Sequence, residues 1–220
     1  MNEENVKEEP RCGMCGVWVC MTDDKKFDGP AFCPTVTEKE VIDEVLGKYE
    51  DPELRRFARA ASEVEGEGYC KWTRVEEVIQ LSRKMGYKKL GIASCLGLRN
   101  EARAFTEILE GRGFEVVCVC CKTGAVPKEA IGIEDSSKVR PGEHESMCNP
   151  IAQAEILNRA GTEFNVLMGL CVGHDSLFLK HATAMTTVLV AKDRVLVHNP
   201  AAALYAHKGY YRKLMQEDGG

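Results

Sequence analysis

From Tyr87 onward, short runs dominated by apolar residues alternate with stretches of helical period, and this alternation constrains the fold more than any other feature. KKLGIA (88–93), FEVVCVCC (114–121), FNVLMGL (164–170) and TTVLVA (186–191) read as strands. Between the first two, LRNEARAFTEILEGRG places Leu98, Ala102, Phe105 and Leu109 at helical spacing and ends in glycines. Asn149 followed by Pro150 opens a helix over IAQAEILNRAG, and HDSLFLKHA reads as a short one. Strands without a polar face, separated by helices, predict a parallel sheet covered on both sides with right-handed crossovers. The expectation is an α/β fold with a doubly wound, mostly parallel sheet of about four to five strands. A turn at KDR leads into VLVH (195–198) as a further short strand, and NPAAALYAHKGYYRKLMQ closes the chain with helix.

Helices precede the sheet. Thr37, Glu38, Lys39 and Glu40 form a capping pattern ahead of VIDEVLGKY, Asp51 with Pro52 opens ELRRFARAASEVEGEG, and Thr73 caps RVEEVIQLSRKM before Gly86. Residues 1–35 are rich in Cys, Gly, Pro and charge, with little periodicity. We therefore expect a Cys-rich metal-binding lobe over 1–35 and helices plus the α/β domain over 36–220. With 220 residues the chain can bury a core without disulfides. Residues 123–145 read as a long charged loop, a length that favours a lid or substrate loop.

The formal net charge is −5 with both signs interspersed, so no concentrated positive field meets a phosphate backbone, and no nucleic acid partner is expected. No apolar run reaches the roughly 18 residues a membrane helix needs. The polar start MNEENVKEEP and an odd count of 11 cysteines point to a reducing cytoplasm, where cysteine clusters serve metals or catalysis rather than disulfides.

RCGMCGVWVC and AFCP place Cys12, Cys15, Cys20 and Cys33 within one lobe. Cys-x2-Cys lets two sulfurs reach one ion from a tight turn, and four thiolates suit zinc or an iron-sulfur cluster. The second Cys-x2-Cys of a zinc ribbon is missing. Thioredoxin-type chemistry is disfavoured because no strand precedes the motif.

A second constellation follows from the topology. Ligands of open α/β sheets bind outside the carboxyl ends of the strands, and Cys95 follows the first strand, Cys120 and Cys121 end the second and Cys171 ends the third. Cys148 stands just ahead of the Asn149 cap, where a helix N-terminus favours the thiolate. Cys95, Cys121, Cys148 and Cys171 have the ingredients of an iron-sulfur site or a multi-thiol active site. Cys148 and Cys171 are its candidate nucleophiles, and His174 and Asp175 its acid and base, although Asp175 serves equally as an N-cap. His144 and His198 could approach the same edge, Lys122 and Thr123 could hold an anion, and Cys70, Cys118 and Cys120 read as plain core or surface residues. No dinucleotide fingerprint or phosphate loop is present.

RCGMCGVWVC, AFCP, MCNPIAQAEILN, GTEFNVLMGLCVGHDSLF and KDRVLVHNPAAALY together resemble an uncharacterised prokaryotic family known only as a domain of unknown function. Ala184 stands where relatives would carry proline. The resemblance implies metal binding at Cys12, Cys15, Cys20 and Cys33 and brings no substrate or reaction.

These features predict a cytoplasmic metal-binding protein with a thiol-rich pocket at the sheet edge. The pocket would work through an iron-sulfur cluster or a thiolate, in sulfur or redox chemistry on a small molecule. The alternative is a non-catalytic binding or adaptor module with a structural zinc. The oligomeric state is not encoded in any motif.

Overall fold

The computed structural model describes residues 8–22 and 29–216. The chain divides into two compact units, residues 1–62 and 63–220.

In the first unit, two single turns of 3-10 helix, Cys12–Met14 and Val19–Met21, precede α1 (Pro34–Thr37) and α2 (Lys39–Leu46). The predicted cap at Thr37 does not form. Thr37 is instead the last residue of α1, and α2 starts after Glu38 without a side-chain cap. Asp51 does cap α3 (Pro52–Gly68), accepting the backbone N–H groups of Glu53 and Leu54 at 2.9 Å. Apolar Val17, Trp18 and Met21 remain exposed in this unit, while Cys33 is buried.

The second unit begins within α3 and continues with α4 (Arg74–Met85), whose Thr73 and Glu76 form the full reciprocal capping box and whose Gly86 ends it in the left-handed region. Four strands follow: β1 (Lys89–Ser94), β2 (Glu115–Cys120), β3 (Phe164–Met168) and β4 (Met185–Val190). All neighbours pair in parallel, in the order β2-β1-β3-β4. The helices between them are α5 (Arg99–Gly111), α6 (Pro150–Ala160) and α7 (His174–His181). Right-handed crossovers put α5 on one face of the sheet and α6 with α7 on the other. The central strands β1 and β3 are buried on both faces, and Leu90, Ile92, Val166 and Leu167 are at most 1% exposed. This is the doubly wound α/β fold that the apolar strands predict, with four strands.

The expected strand over 195–198 is absent, and one residue explains it. Asp193 accepts the N–H groups of Val195 and Leu196 on its side chain and that of His198 on its carbonyl, closing a turn. Val197 and His198 take positive φ there. The closing helix is also shorter than predicted, reduced to α8 (Ala201–Tyr205) and one 3-10 turn at Arg212–Met215. Residues 123–145 are tied down by an antiparallel bridge between Pro127 and Ser146. The buried Lys138 reinforces them by pairing with Glu129 at 2.5 Å and Asp135 at 2.9 Å. Among the described residues no helix is long and apolar enough to cross a membrane.

Candidate functional site

The reversal of strand order between β1 and β3 creates a crevice at their carboxyl ends, and the residues after each strand meet there. Cys95 follows β1 and donates its backbone N–H to Met168 of β3, while Cys121 follows β2 and donates to Ser94 of β1. These ladder extensions fix both cysteines as firmly as strand residues. The next link brings in a distant segment: Asn149 donates its backbone N–H to the Cys121 carbonyl at 2.8 Å, which sets Cys148 beside Cys121. Asn149 also caps α6, its side chain accepting from Ala152 at 3.1 Å.

Cys121 is the hub. It is 2% exposed, its sulfur accepts the Leu96 backbone N–H at 3.4 Å, and it lies close enough to the sulfurs of both Cys95 and Cys148 to shift their titration. Packing holds it in place, since Val119, Ala154, Leu157, Leu170 and Phe178 form the buried cluster around it. From α6, Gln153 braces the same corner, donating to the carbonyls of Ser94 and Val119 at 3.2 and 2.7 Å.

The electrostatics follow from this arrangement. The Cys121 thiol beside Cys95 draws the Cys95 pKa down to about 5, helped by the Gly97 amide and the Lys192 ammonium and opposed by burial. Cys121 acts in the same way on Cys148, also drawn down to about 5, with Lys122 and His174 adding positive charge. Cys121 itself is pushed up by its two sulfur neighbours and by burial, so it keeps its proton. One S–H reaches only one acceptor at a time, so a single proton serves two flanking sulfurs.

Cys171 reaches the group through Arg194, which donates to its sulfur at 3.0 Å. The sulfurs of Cys171, Cys95 and Cys148 hold the Arg194 guanidinium in its charged form. Gly169, just after β3, has a φ of +65° and leaves room for Leu98, into which a Cβ there would run.

His174 opens α7 half-buried, with its Nδ1 buried and unpartnered among the described residues. Asp175 is not the N-cap, a position held by Gly173; its carboxylate accepts from the adjacent Ser176 N–H at 2.8 Å. His144 contacts Ser146, His198 accepts the Asp193 N–H within the closing turn, and Thr123 bonds back to the Cys120 carbonyl. Lys122 donates to the Ser146 carbonyl and lies close enough to Cys148 to favour its thiolate. Sequence reasoning missed Lys192, Arg194 and Gln153. The rule that found the cysteines, applied after β4, points to the first two.

In the other unit, the Cys15 sulfur accepts the backbone N–H groups of Trp18 and Val17, which lowers its pKa. Such amides stabilise a thiolate. Cys12 and Cys20 are exposed, and Cys33 sits buried ahead of Pro34. A Cβ on Gly29 would come within 3.1 Å of Cys33, Val19 and Val36, so the two cysteine-bearing segments approach closely at that glycine.

Both thiol sets suit a soft metal in donor chemistry, with four sulfurs apiece. Among the described residues no three of His, Cys, Asp or Glu converge as the ligands of one ion.

The family described as Protein of unknown function (DUF1847) matches residues 33–189, and the chain belongs to it. The matched stretch holds Cys33 and all four edge cysteines, and Cys12, Cys15 and Cys20 precede it. A relative called Uncharacterized protein MJ0455, from Methanocaldococcus jannaschii, is 40% identical over 206 residues, 94% of this chain and 98% of that protein. Among solved structures, Dph2 from Pyrococcus horikoshii with a 4Fe-4S cluster is similar at 20% identity and a TM-score of 0.34, over 65% of this chain and 33% of that one.

Proposed function

We propose that the carboxyl edge of the sheet is the centre of a thiolate-dependent enzyme acting in sulfur or redox chemistry on a small anionic molecule. The observation that carries this reading is the position of Cys121, buried between Cys95 on one side and Cys148 on the other. A thiol donor between two sulfurs stabilises the thiolate of whichever sulfur it faces, the form that attacks electrophiles.

Cys148 is the proposed nucleophile, because it adds the field of the α6 N-terminus to the charges of Lys122 and His174. With a small disulfide as oxidant, the Cys148 thiolate attacks one sulfur and the other leaves as a thiolate that takes up a proton. Cys121 gives up its proton and attacks Cys148, releasing the second small thiol and leaving a Cys121–Cys148 disulfide. His174 is placed to move those protons. Lys122, Lys192 and Arg194 select for negative charge, and Cys171, clasped by Arg194, is the reserve thiol.

The four N-terminal thiols support a separate role, holding zinc or an iron-sulfur cluster, for which Cys15 already has two amide N–H groups on its sulfur. That role supplies structure and takes no part in the steps above.

Anaerobic purification followed by metal analysis, a visible spectrum and alkylation mapped by peptide tests both parts. The reading requires rapid alkylation of Cys148 near pH 6 and metal that survives Cys148→Ser. A brown protein whose iron and colour disappear with Cys148→Ser and Cys171→Ser would replace the thiolate with a cluster at the edge. Slow alkylation of every edge cysteine would leave the binding or adaptor module.

A further inference from the structure

The opposite face of the sheet carries a groove that the edge chemistry does not use. It has a volume of about 510 Å³ and lies between α5 and β2, lined by Arg99, Arg103, Glu107, Glu110, Cys118 and Cys120. Strand alternation separates Cys118 and Cys120 from Val119 and Cys121, which serve the other face. Ser94 closes the floor, its hydroxyl 3.9 Å from the Cys118 sulfur. Because β2 is an edge strand, one flank of the groove stays open.

The charges are segregated along the groove. Arg99 and Arg103 occupy the end where α5 begins, beside the carboxyl end of β2 and therefore nearest Cys120. Glu107 and Glu110 occupy the other end, and Arg103 and Glu110 stand about 11 Å apart along the helix axis, two turns. Among the described residues none of these four side chains makes a hydrogen bond or ion pair, although Arg103 and Glu107 have the spacing for one. The ends of the groove thus offer two cations and two anions to a ligand, with thiols between them.

We propose that this groove binds a sulfur-bearing zwitterion of about three residues' length, its carboxylate on Arg99 and Arg103 and its ammonium on Glu107 and Glu110. An extended chain covers about 3.3 Å per residue, so a tripeptide-sized molecule spans the charged ends. The disulfide form of such a molecule exchanges with Cys120. The Cys120 thiolate attacks one sulfur, a mixed disulfide forms as the original S–S bond breaks, and the departing thiolate takes up the proton that Cys120 lost.

The test uses the reduced full-length protein and three disulfides of different charge: oxidised glutathione (zwitterionic), cystamine (cationic) and 3,3′-dithiodipropionate (anionic). The rate of adduct formation is followed at Cys120 by peptide mapping. Oxidised glutathione should react there about tenfold faster than either of the others. Combining Arg103→Glu with Glu107→Arg should remove that advantage without lowering the melting temperature, and the milder Arg99→Gln should reduce it. Equal rates for the three disulfides at Cys120, or an advantage that survives the charge reversal, would overturn the proposal.

Discussion

The two thiol sets differ in what surrounds the sulfur. Cys12, Cys15, Cys20 and Cys33 are neighbours in sequence, yet two of them are exposed, and local amides stabilise the Cys15 thiolate. Cys95, Cys121, Cys148 and Cys171 are scattered over 77 positions (95 to 171), yet strand ladders and a helix cap bring three of them together. Proximity along the chain leaves four thiols that only a bound ion would draw together. Proximity imposed by a packed sheet makes a preorganised site whose sulfurs are charged before anything binds.

The largest effect that separates the two sets should come from the core beneath the edge. Phe178 is fully buried in the cluster that holds Cys121, so Phe178→Ala should cost about 3–5 kcal/mol in urea unfolding of the 63–220 unit. It should also slow Cys148 alkylation while the metal content assigned to the N-terminal thiols is kept. Next in size is Cys121→Ala, which removes the shared donor. Alkylation of Cys95 and Cys148 at pH 6 should fall about tenfold or more, as read by mass spectrometry. A smaller effect belongs to Asn149→Ala, which removes the α6 cap, costs about 1 kcal/mol and moves the Cys148 midpoint upward.

The pH dependence of stability has a definite sign. Cys95 and Cys148 have pKa values in the folded protein below the ordinary thiol value of 9.0, so their contribution is complete above 9.0 and is lost as pH falls through about 5. Cys121 is shifted the opposite way, and its contribution is constant below 9.0 and lost only above it. The urea midpoint of the reduced protein should therefore rise from pH 5 to 9, and Cys121→Ala should flatten that rise.

Much of this was legible in the sequence, for identifiable reasons. Apolar runs of strand length between helices left a parallel sheet as the consistent solution, and parallel strands put Cys95, Cys121 and Cys171 at one edge. Asn149 and Pro150 announced the helix that places Cys148. The central role of Cys121 was not legible, because burial and the Leu96 amide depend on how β2 registers against β1. Arg194 was hidden by the reading of VLVH as a strand. Its apolar character pointed to a sheet, and the hydrogen bonds of Asp193 won locally. The same competition explains Thr37, where a four-residue helix at Pro34 absorbs the residue that would otherwise cap α2.

The central claim is that Cys121 keeps its neighbours ionised. It is tested most directly by the pH profile of Cys148 alkylation, measured anaerobically and mapped by peptide in the native chain and in Cys121→Ala. The account predicts a midpoint near 5 in the native chain and a clear upward move in the variant. A native midpoint at the ordinary thiol value of 9.0, unchanged by the substitution, would contradict it.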